Sequence, residues 1–473
     1  MKRLVSIISL MILITAFAMP VSAKSPAKSY IIMAKENKLP SNLTQAVIAA
    51  GGTLTRTIPE IGIAVASSTN SNFAARAARI SGVRSVTYNV QVQWLDPDLS
   101  SYSLVETSFG NPPTSGDDDF FFDLQWGHDA VDAPEAWNAG ARGDGVRVAV
   151  LDSGIDADHP DIAPNLNVGL SASFVPGEGF DIQPGFYFNH GTHVAGIVAA
   201  ADNAFGVIGV APEAEIVAVK VLSEFTGSGT FEGVIAGIVY AANIDADIIN
   251  MSLGATLKKS GFCDPEGCVA AREVAELLIA SGRATTYAYQ QGTTVIAAAG
   301  NESMDADHTA NLVFVPAALP HVIAVAATGP EGWALDPTTN LDVPAFYTNF
   351  GQSFINFAAP GGNVDFSLIV FDEDGNIDPI LTPVCTVTFV TNFCFVFDLV
   401  LSTSSESWFW AAGTSMATPH TSGVAAIIIG QNGGSMNPAH VEAALRASAD
   451  DLGKPGNDDF YGDGRVNAYN AVK

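Results

Sequence analysis

Two different rhythms of apolar and polar residues divide this chain. Between residues 29 and about 95, short alternating runs are interleaved with two helical patterns. "YIIMA" predicts a strand, and "SNLTQAVIAAGG" a helix with a capping serine at its start and a glycine pair at its end. "TLTRTIP" and "IGIAVAS" predict two strands, "NSNFAARAARI" a second helix, and "VRSVTYNVQVQWL" a last strand. The order is β-α-β-β-α-β. Residues 96–119 are polar and rich in Pro, Ser, Gly and Asp, and read as an exposed linker. From about residue 123 the apolar runs become continuous and alternate with helical patterns, as in "VRVAVLD", "HGTHVAGIVAA", "AEIVAVKVL", "FEGVIAGIVYAA", "ADIINMSLG" and "TTVIAAAGN". Strands that do not alternate are buried on both faces. The expected class is therefore α/β, a three-layer domain around a mostly parallel central sheet. Residues 363–409 interrupt the rhythm and read as an inserted, hairpin-rich loop, and "NPAHVEAALRASAD" predicts one helix near the end.

Composition adds a compartment and excludes some partners. Lys2 and Arg3 precede an apolar run from Leu4 to Met19, and "VSA" at 21–23 offers a small-residue cleavage site. That run is shorter than the roughly 20 residues needed to span a bilayer, so residues 1–23 read as a secretory signal. Residues 1–100 hold ten Lys/Arg and four Asp/Glu. Residues 101–473 therefore hold the other 11 and 45 of the chain's 21 and 49, a net of −34. A surface this acidic repels nucleic acid and anionic membranes; it fits solubility in salt or bound cations. The four cysteines lie in two close pairs, Cys263 with Cys268 and Cys385 with Cys394. In an exported chain these predict two local disulfides. The rival, a zinc site, lacks the C-x-x-C spacing and nearby histidines.

Parallel sheets bind ligands at the carboxyl ends of their strands, so polar residues just after apolar runs are the candidates for chemistry. "VRVAVLDSG" ends in Asp152, "NHGTHVAGIVAA" sets His190 at a helix start, and "GTSMATPHTSG" sets Ser415 at another. A serine hydroxyl reacts only with a base to take its proton and a third group to orient that base. The bland readings are a turn carboxylate for Asp152, metal ligands for His190 and His193, and a helix cap for Ser415. A metal helix would need a Glu that "HGTHVAG" lacks. His159 and His420 read as structural histidines. An α/β-hydrolase esterase would show Gly-x-Ser-x-Gly and the order Ser, Asp, His; this chain has neither.

"VLDSGID", "HGTHVAG" and "GTSMATPH", in the order Asp, His, Ser, resemble the three signature blocks of the subtilisin-like serine proteases. The resemblance covers about residues 123–473. It implies a secreted, monomeric serine endopeptidase acting on protein or peptide substrates. The implied organisation is signal 1–23, inhibitory propeptide 24–98 of ferredoxin-like fold, linker 99–119 with the maturation cut, and peptidase domain 120–473. Asp152, His190 and Ser415 become the triad, and Asn301 in "AAAGNES" becomes the oxyanion-hole amide. From position alone, an Asx turn is an equal reading of Asn301. "NMSLG" places Ser252, Leu253 and Gly254 on the strand that pairs with substrate, and Ala299 and Gly300 on the other wall of the specificity pocket. Register counted through "VFVPAALPHVIAV" puts Phe314 at the pocket floor and makes Pro316 the family's cis-proline. Phe314 serves equally well as a core residue. Calcium is the implied structural ion, held by Asp161, Asn203 and the carbonyls of Ala201, Phe205 and Val207; the N-terminal ligand falls near 119–123 without a clear match. "FDEDGNIDP" (371–379) looks like a second calcium loop but reads better as an Asp-Gly turn, and "GNDDFYGDGRVNA" is ambiguous in the same way. A catalytically inactive binding protein on the same fold is the alternative.

Overall fold

The computed structural model describes residues 26–95, 102–104, 117–185, 188–264 and 267–473 of the chain. The proposed signal and most of the linker lie outside the described residues.

The N-terminal unit has the expected order: β1 (Lys28–Ala34), α1 (Leu43–Ala50), β2 (Thr53–Ile58), β3 (Ile63–Ser68), α2 (Phe73–Ala77) and β4 (Val83–Tyr88). Its antiparallel sheet runs β2-β3-β1-β4. Alternation along the strands gives it two apolar faces. Tyr30, Ile32, Val47 and Phe73 pack beneath its own helices, while Ile31, Met33, Ile61 and Ile63 join the core of the large domain. Asn42 rather than Ser41 stands at the start of α1, and its side chain makes no cap bond. Gly51 ends that helix with φ 94°, the left-handed turn the glycine was expected to allow. The last predicted strand is split: β5 (Gln91–Gln93) leaves the sheet. Within the segment read as an exposed linker, residues 102–104 form β6 (Tyr102–Leu104).

Helices α3 (Trp126–Ala130) and α4 (Ala133–Asn138) open the large domain. Then come β7 (Arg147–Asp152), β8 (Ala172–Ser173), α5 (His190–Ala199), β9 (Glu215–Lys220), β10 (Ser228–Thr230), α6 (Phe231–Asn243) and β11 (Ile248–Met251). The chain continues through β12 (Ala255–Lys258), β13 (Gly261–Asp264), β14 (Gly267–Ala270), α7 (Ala271–Gln291), β15 (Thr294–Ala298), β16 (Leu312–Val315), β17 (Val322–Gly329), β18 (Val343–Pro344) and β19 (Phe357–Pro360). It ends with β20 (Val384–Val387), β21 (Val390–Phe393), β22 (Val400–Ser404), β23 (Ser407–Ala411), α8 (Thr414–Gln431) and α9 (Pro438–Ser448). The central sheet has the order β18-β17-β15-β11-β7-β9-β8, with β19 also on β17. Its pairings are parallel apart from β17 with β18. Val148, Val150 and Ile296 face α5 and α8, and Ala149, Leu151 and Val295 face α6 and α7, which makes the three layers.

Both cysteine pairs are disulfides, Cys263–Cys268 and Cys385–Cys394, each clasping a hairpin. Residues 363–409 are only partly the expected loop. The β20–β21 hairpin fits, but Phe395, Val396, Phe397, β22 and β23 are buried core. "FDEDGNIDP" forms the turn, with Asp372 accepting from the N–H groups of Asp374 and Asn376. In "GNDDFYGDG", Asp458 likewise accepts from the N–H groups of Lys454, Phe460 and Tyr461.

Three histidines are buried uncharged in this core. Burial pushes His128 and His193 down to about 3 and His420 to about 4; the neighbouring His420 adds to the effect on His128. An unfolded histidine titrates near 6.5. Between that value and about 3 the unfolded chain takes up protons that the folded chain refuses, so stability is complete above about 6.5 and falls as pH drops. Comparing urea midpoints between pH 7 and 4, His128→Asn is expected to remove about one proton of this linkage and so to lose less stability than wild type as pH falls. An equal loss in that variant would contradict this assignment.

Candidate active site

Asp152 ends β7, and its carboxylate meets His190 Nδ1 with both oxygens at 2.9 Å. Asp152 is 1% exposed and His190 7%, so the pair is shielded from water. The Asp152 end is fixed from both sides. Ser153 N–H donates to Asp152 Oδ1 (2.6 Å), and the buried Lys220 ammonium donates to the Ser153 carbonyl (2.8 Å) while pairing with Glu178 and Glu224. On the histidine side, Asn189 caps α5 by accepting from Thr192 N–H (2.7 Å). Gly191 is required by space: a Cβ there would stand 2.1 Å from the Gly154 carbonyl. His193, one turn on, meets the Phe409 carbonyl at 2.8 Å and is structural, as is His159, which meets the Ser407 carbonyl at 3.0 Å.

Ser415 lies in the first turn of α8, where the helix dipole favours developing negative charge. Pro419 sits four residues later and has no N–H to give to the Ser415 carbonyl. Ser252 Oγ makes that bond instead (2.7 Å), and the Ser415 hydroxyl rests on the Ser252 carbonyl (3.1 Å). Asn301 follows β15. Its side-chain oxygen accepts from both the N–H and the hydroxyl of Thr414, each at 2.9 Å, which orients the amide beside Ser415. The sequence did not point to Thr414, since a threonine before the serine has no pattern of its own.

A cavity of about 190 Å³ opens at Ser415, lined by Gly254, Ala255, Thr256, Ala298, Ala299, Gly300, Asn301, Glu302, Phe314 and Val315. Of the expected pocket residues, Gly254, Ala299, Gly300 and Phe314 line it. Ser252 and Leu253 are buried behind the wall, Leu253 as part of the core. The Val315–Pro316 peptide is cis. Glu302, which the sequence reading omitted, is held by Thr256 and Asn349. Gln93, Trp94 and Leu95 of the N-terminal unit line the same cavity. They arrive as an extended chain: β5 pairs antiparallel with β10, Gly254 N–H donates to the Trp94 carbonyl (3.0 Å), and Leu95 N–H donates to the Gly227 carbonyl (3.3 Å). A larger cavity of about 480 Å³ lies between the N-terminal unit and α7 and contains none of the candidate catalytic residues.

A second polar centre forms around loop 201–207. Asp161 accepts from Val207 N–H (3.0 Å), Trp408 Nε1 (2.7 Å) and Asn203 Nδ2 (3.4 Å). Asp119, at the edge of the 119–123 stretch where the N-terminal ligand was expected without a clear match, accepts from the N–H groups of Phe205 (3.1 Å) and Asn203 (3.4 Å). Its other oxygen is buried with no donor facing it, and the Asp117 carboxylate stands beside it. Burial first, and then Asp117, push the Asp119 carboxyl up to about 9. Ligand oxygens of Asp117, Asp118, Asp119 and Asp202 gather within 4.8 Å of one another. An anion-rich site whose buried oxygen lacks a donor has the chemistry of a cation site.

Comparison with known proteins shows the family. The subtilase family of peptidases matches residues 143–464. The chain belongs to the subtilase family. Thermitase of Thermoactinomyces vulgaris is 32% identical over 358 residues, 75% of this chain and 98% of its own. Subtilisin E of Bacillus subtilis is 34% identical over 351 residues, 74% and 71% of the two chains. The epidermin leader peptide processing serine protease of Staphylococcus aureus shares the fold, with a TM-score of 0.71 at 21% identity over 95% of this chain and 98% of its own. A lanthipeptide protease superposes with a TM-score of 0.56 at 28% identity, over 74% and 95% of the two chains. This subtilase is a serine endopeptidase. Among the described residues, no helix is long and apolar enough to cross a membrane.

Proposed function

We propose that this subtilase is an exported, self-processed zymogen that cuts peptide bonds through Asp152, His190 and Ser415. The observation that carries the reading is the buried Asp152–His190 pair, held at 2.9 Å where β7 ends, together with Ser415 heading α8 at the edge of the cavity. Ser415 Oγ turns from the Ser252 carbonyl to the free imidazole nitrogen of His190, which takes its proton as the hydroxyl attacks the substrate carbonyl. Asp152 holds the ring and balances the imidazolium. Asn301, oriented by Thr414, and the Ser415 N–H stabilise the oxyanion. The imidazolium passes its proton to the leaving amine, and water then releases the acyl-enzyme by the same route. The N-terminal unit acts as an intramolecular inhibitor, a reading supported by residues 93–95 lining the cavity at Ser415 at the end of a strand paired with β10, as an extended substrate would be held.

The test compares wild type with Ser415→Ala, secreted from a bacterial host. Both are expected in the medium without residues 1–23. Wild type should also lose the N-terminal unit, and the variant should keep it through residue 119. An efficiently self-matured Ser415→Ala protein would sink the mechanism. A wild type that never matures and cuts no peptide would favour the inactive binding protein.

Phe314 is buried against Phe354, ring centroids 5.5 Å apart, and closes the pocket for the residue before the cut. Small or medium side chains should precede the cleaved bonds in a denatured protein digest. Phe314→Gly should raise kcat/KM for aromatic residues there at least about tenfold, since roughly 1–3 kcal/mol is at stake per pocket contact. An unchanged cleavage profile would return Phe314 to the core.

Asp119, Asp161 and Asn203, with the carbonyls of Ala201, Phe205 and Val207, would hold a structural calcium, whose charge compensates the buried Asp119 oxygen. Chelation should lower the melting temperature by several degrees and reduce activity only as the enzyme unfolds. Asp119→Asn should lose most of the gain in melting temperature on adding calcium. Identical melting curves with calcium and with chelator would remove the ion from this account.

A further inference from the structure

The N-terminal tail in the cleft is not the only extended segment that meets the catalytic domain as a strand. β6 (Tyr102–Leu104) pairs antiparallel with β23 in the register Tyr102–Trp410, Ser103–Phe409 and Leu104–Trp408. Trp410 stands five positions before Ser415, and Tyr102 seven positions after Leu95. The described chain therefore lines the Ser415 cavity at Leu95 and, seven residues later in sequence, pairs with the edge of β23.

The geometry of β23 suits it to hold a strand. A two-residue turn at 405–406 joins it to β22, which makes Ser404–Ser407 a hydrogen-bonded pair. By alternation, Phe409 and Ala411 turn their backbone groups to β22, and Trp408 and Trp410 turn theirs outward, to β6. The side chains of β23 are engaged elsewhere. Trp408 Nε1 donates to Asp161 (2.7 Å), Phe409 packs on Phe188 at 5.1 Å, and Trp410 on Phe397 at 5.7 Å. The hairpin is also bolted to the helix that begins with His190: Ser402 Oγ donates to the His193 carbonyl (2.8 Å) and Thr403 Oγ1 to the Thr192 carbonyl (2.7 Å). What β23 offers outward is a rigid row of backbone donors and acceptors, fixed relative to the catalytic histidine.

We propose that the outer edge of β23 is a substrate-binding site for extended polypeptide downstream of the cleaved bond. It acts by strand addition, with β6 as its occupant in the uncleaved chain. This rests on the endopeptidase reading above. Recognition is through backbone pairing, so it selects length and extended conformation rather than sequence. Because the contact is remote from the reacting carbonyl, it is made equally in ground and transition states and lowers KM with little change in kcat.

The test uses self-processed enzyme whose N-terminus lies beyond Leu104, so that β6 is gone, and quenched-fluorescent peptides that share one cleavable sequence and end about four or about ten residues after the cut. Net charge is kept equal, with polar, strand-compatible distal residues. The longer peptide is expected to show a KM lower by about tenfold, the yield of one or two backbone hydrogen bonds, at similar kcat. N-methylation of the distal amides should abolish the gain, while exchanging distal side chains for alanine should preserve it. Equal KM values for the two lengths, or a gain that survives N-methylation, would overturn the proposal. Hydrolysis of the short peptide reports on the protease reading separately, so a short peptide that is cut without any gain on extension removes this site alone.

Discussion

The bond from Ser252 Oγ to the Ser415 carbonyl ties the end of β11 to the start of α8, and the placement of Ser415, the proposed nucleophile, depends on it. Proline at 419 breaks the helical ladder at the residue whose hydroxyl is to react, and a carbonyl left bare in this core would cost roughly 1–3 kcal/mol. The bond is one link in a buried chain. Ser422 Oγ donates to Asn250 Oδ1 (2.8 Å), and Asn250 Nδ2 donates to Ser252 Oγ (3.0 Å). A satisfied polar network in a low-dielectric interior is rigid, because every alternative leaves a group unpaired. Helix α8 is buried on nearly every side, so it has no solvent face along which to slide. Wall and nucleophile therefore move together.

Much of this was legible in the chain because parallel sheets concentrate chemistry at strand ends. Asp152 at the end of β7, Asn301 after β15, and His190 and Ser415 at helix starts are each visible as a polar residue closing or opening an apolar run. The unbroken apolar runs likewise gave the layer architecture, since only a sheet covered on both faces tolerates them. Features made by distant pairing were not legible. Asp119 has no local signature, because its partners are backbone N–H groups more than 80 residues away. "LSTSSES" reads as loop by composition, yet it is buried: Ser402 and Thr403 serve as hydroxyl donors to the carbonyls of α5. The split of β5 from β4, and β6 altogether, were hidden for the same reason, as their partners lie far along the chain and on a different unit.

The two halves of the chain also differ in charge, and the interface uses the difference sparingly. Arg56 pairs with Glu232 at 2.9 Å and Arg84 with Glu276 at 3.0 Å, while Arg283 donates to the carbonyls of Ala34 (3.0 Å) and Ile61 (3.1 Å). Arg56 and Arg84 are more than a third exposed, so each ion pair contributes at most about 1 kcal/mol. The larger attachment is apolar. Ile31, Met33, Ile61, Ile63, Val90 and Trp94 belong to the same buried cluster as Val274, Leu277 and Phe231 of the large domain.

In the zymogen proposed above, that division has a consequence. While the linker is intact, the N-terminal unit competes for the cleft as an intramolecular ligand, at the high effective concentration a short tether provides. Cutting the linker breaks none of the contacts along β10, Gly254 or α7; it only turns the same association into a bimolecular one. Release then depends on the affinity of the unit for its seat, and most of that seat is apolar surface that water will not hold apart. An inhibitor anchored in this way persists after the cut and leaves when it unfolds or is itself digested. The small, separate core around Tyr30, Ile32, Val47 and Phe73 makes it the weaker partner.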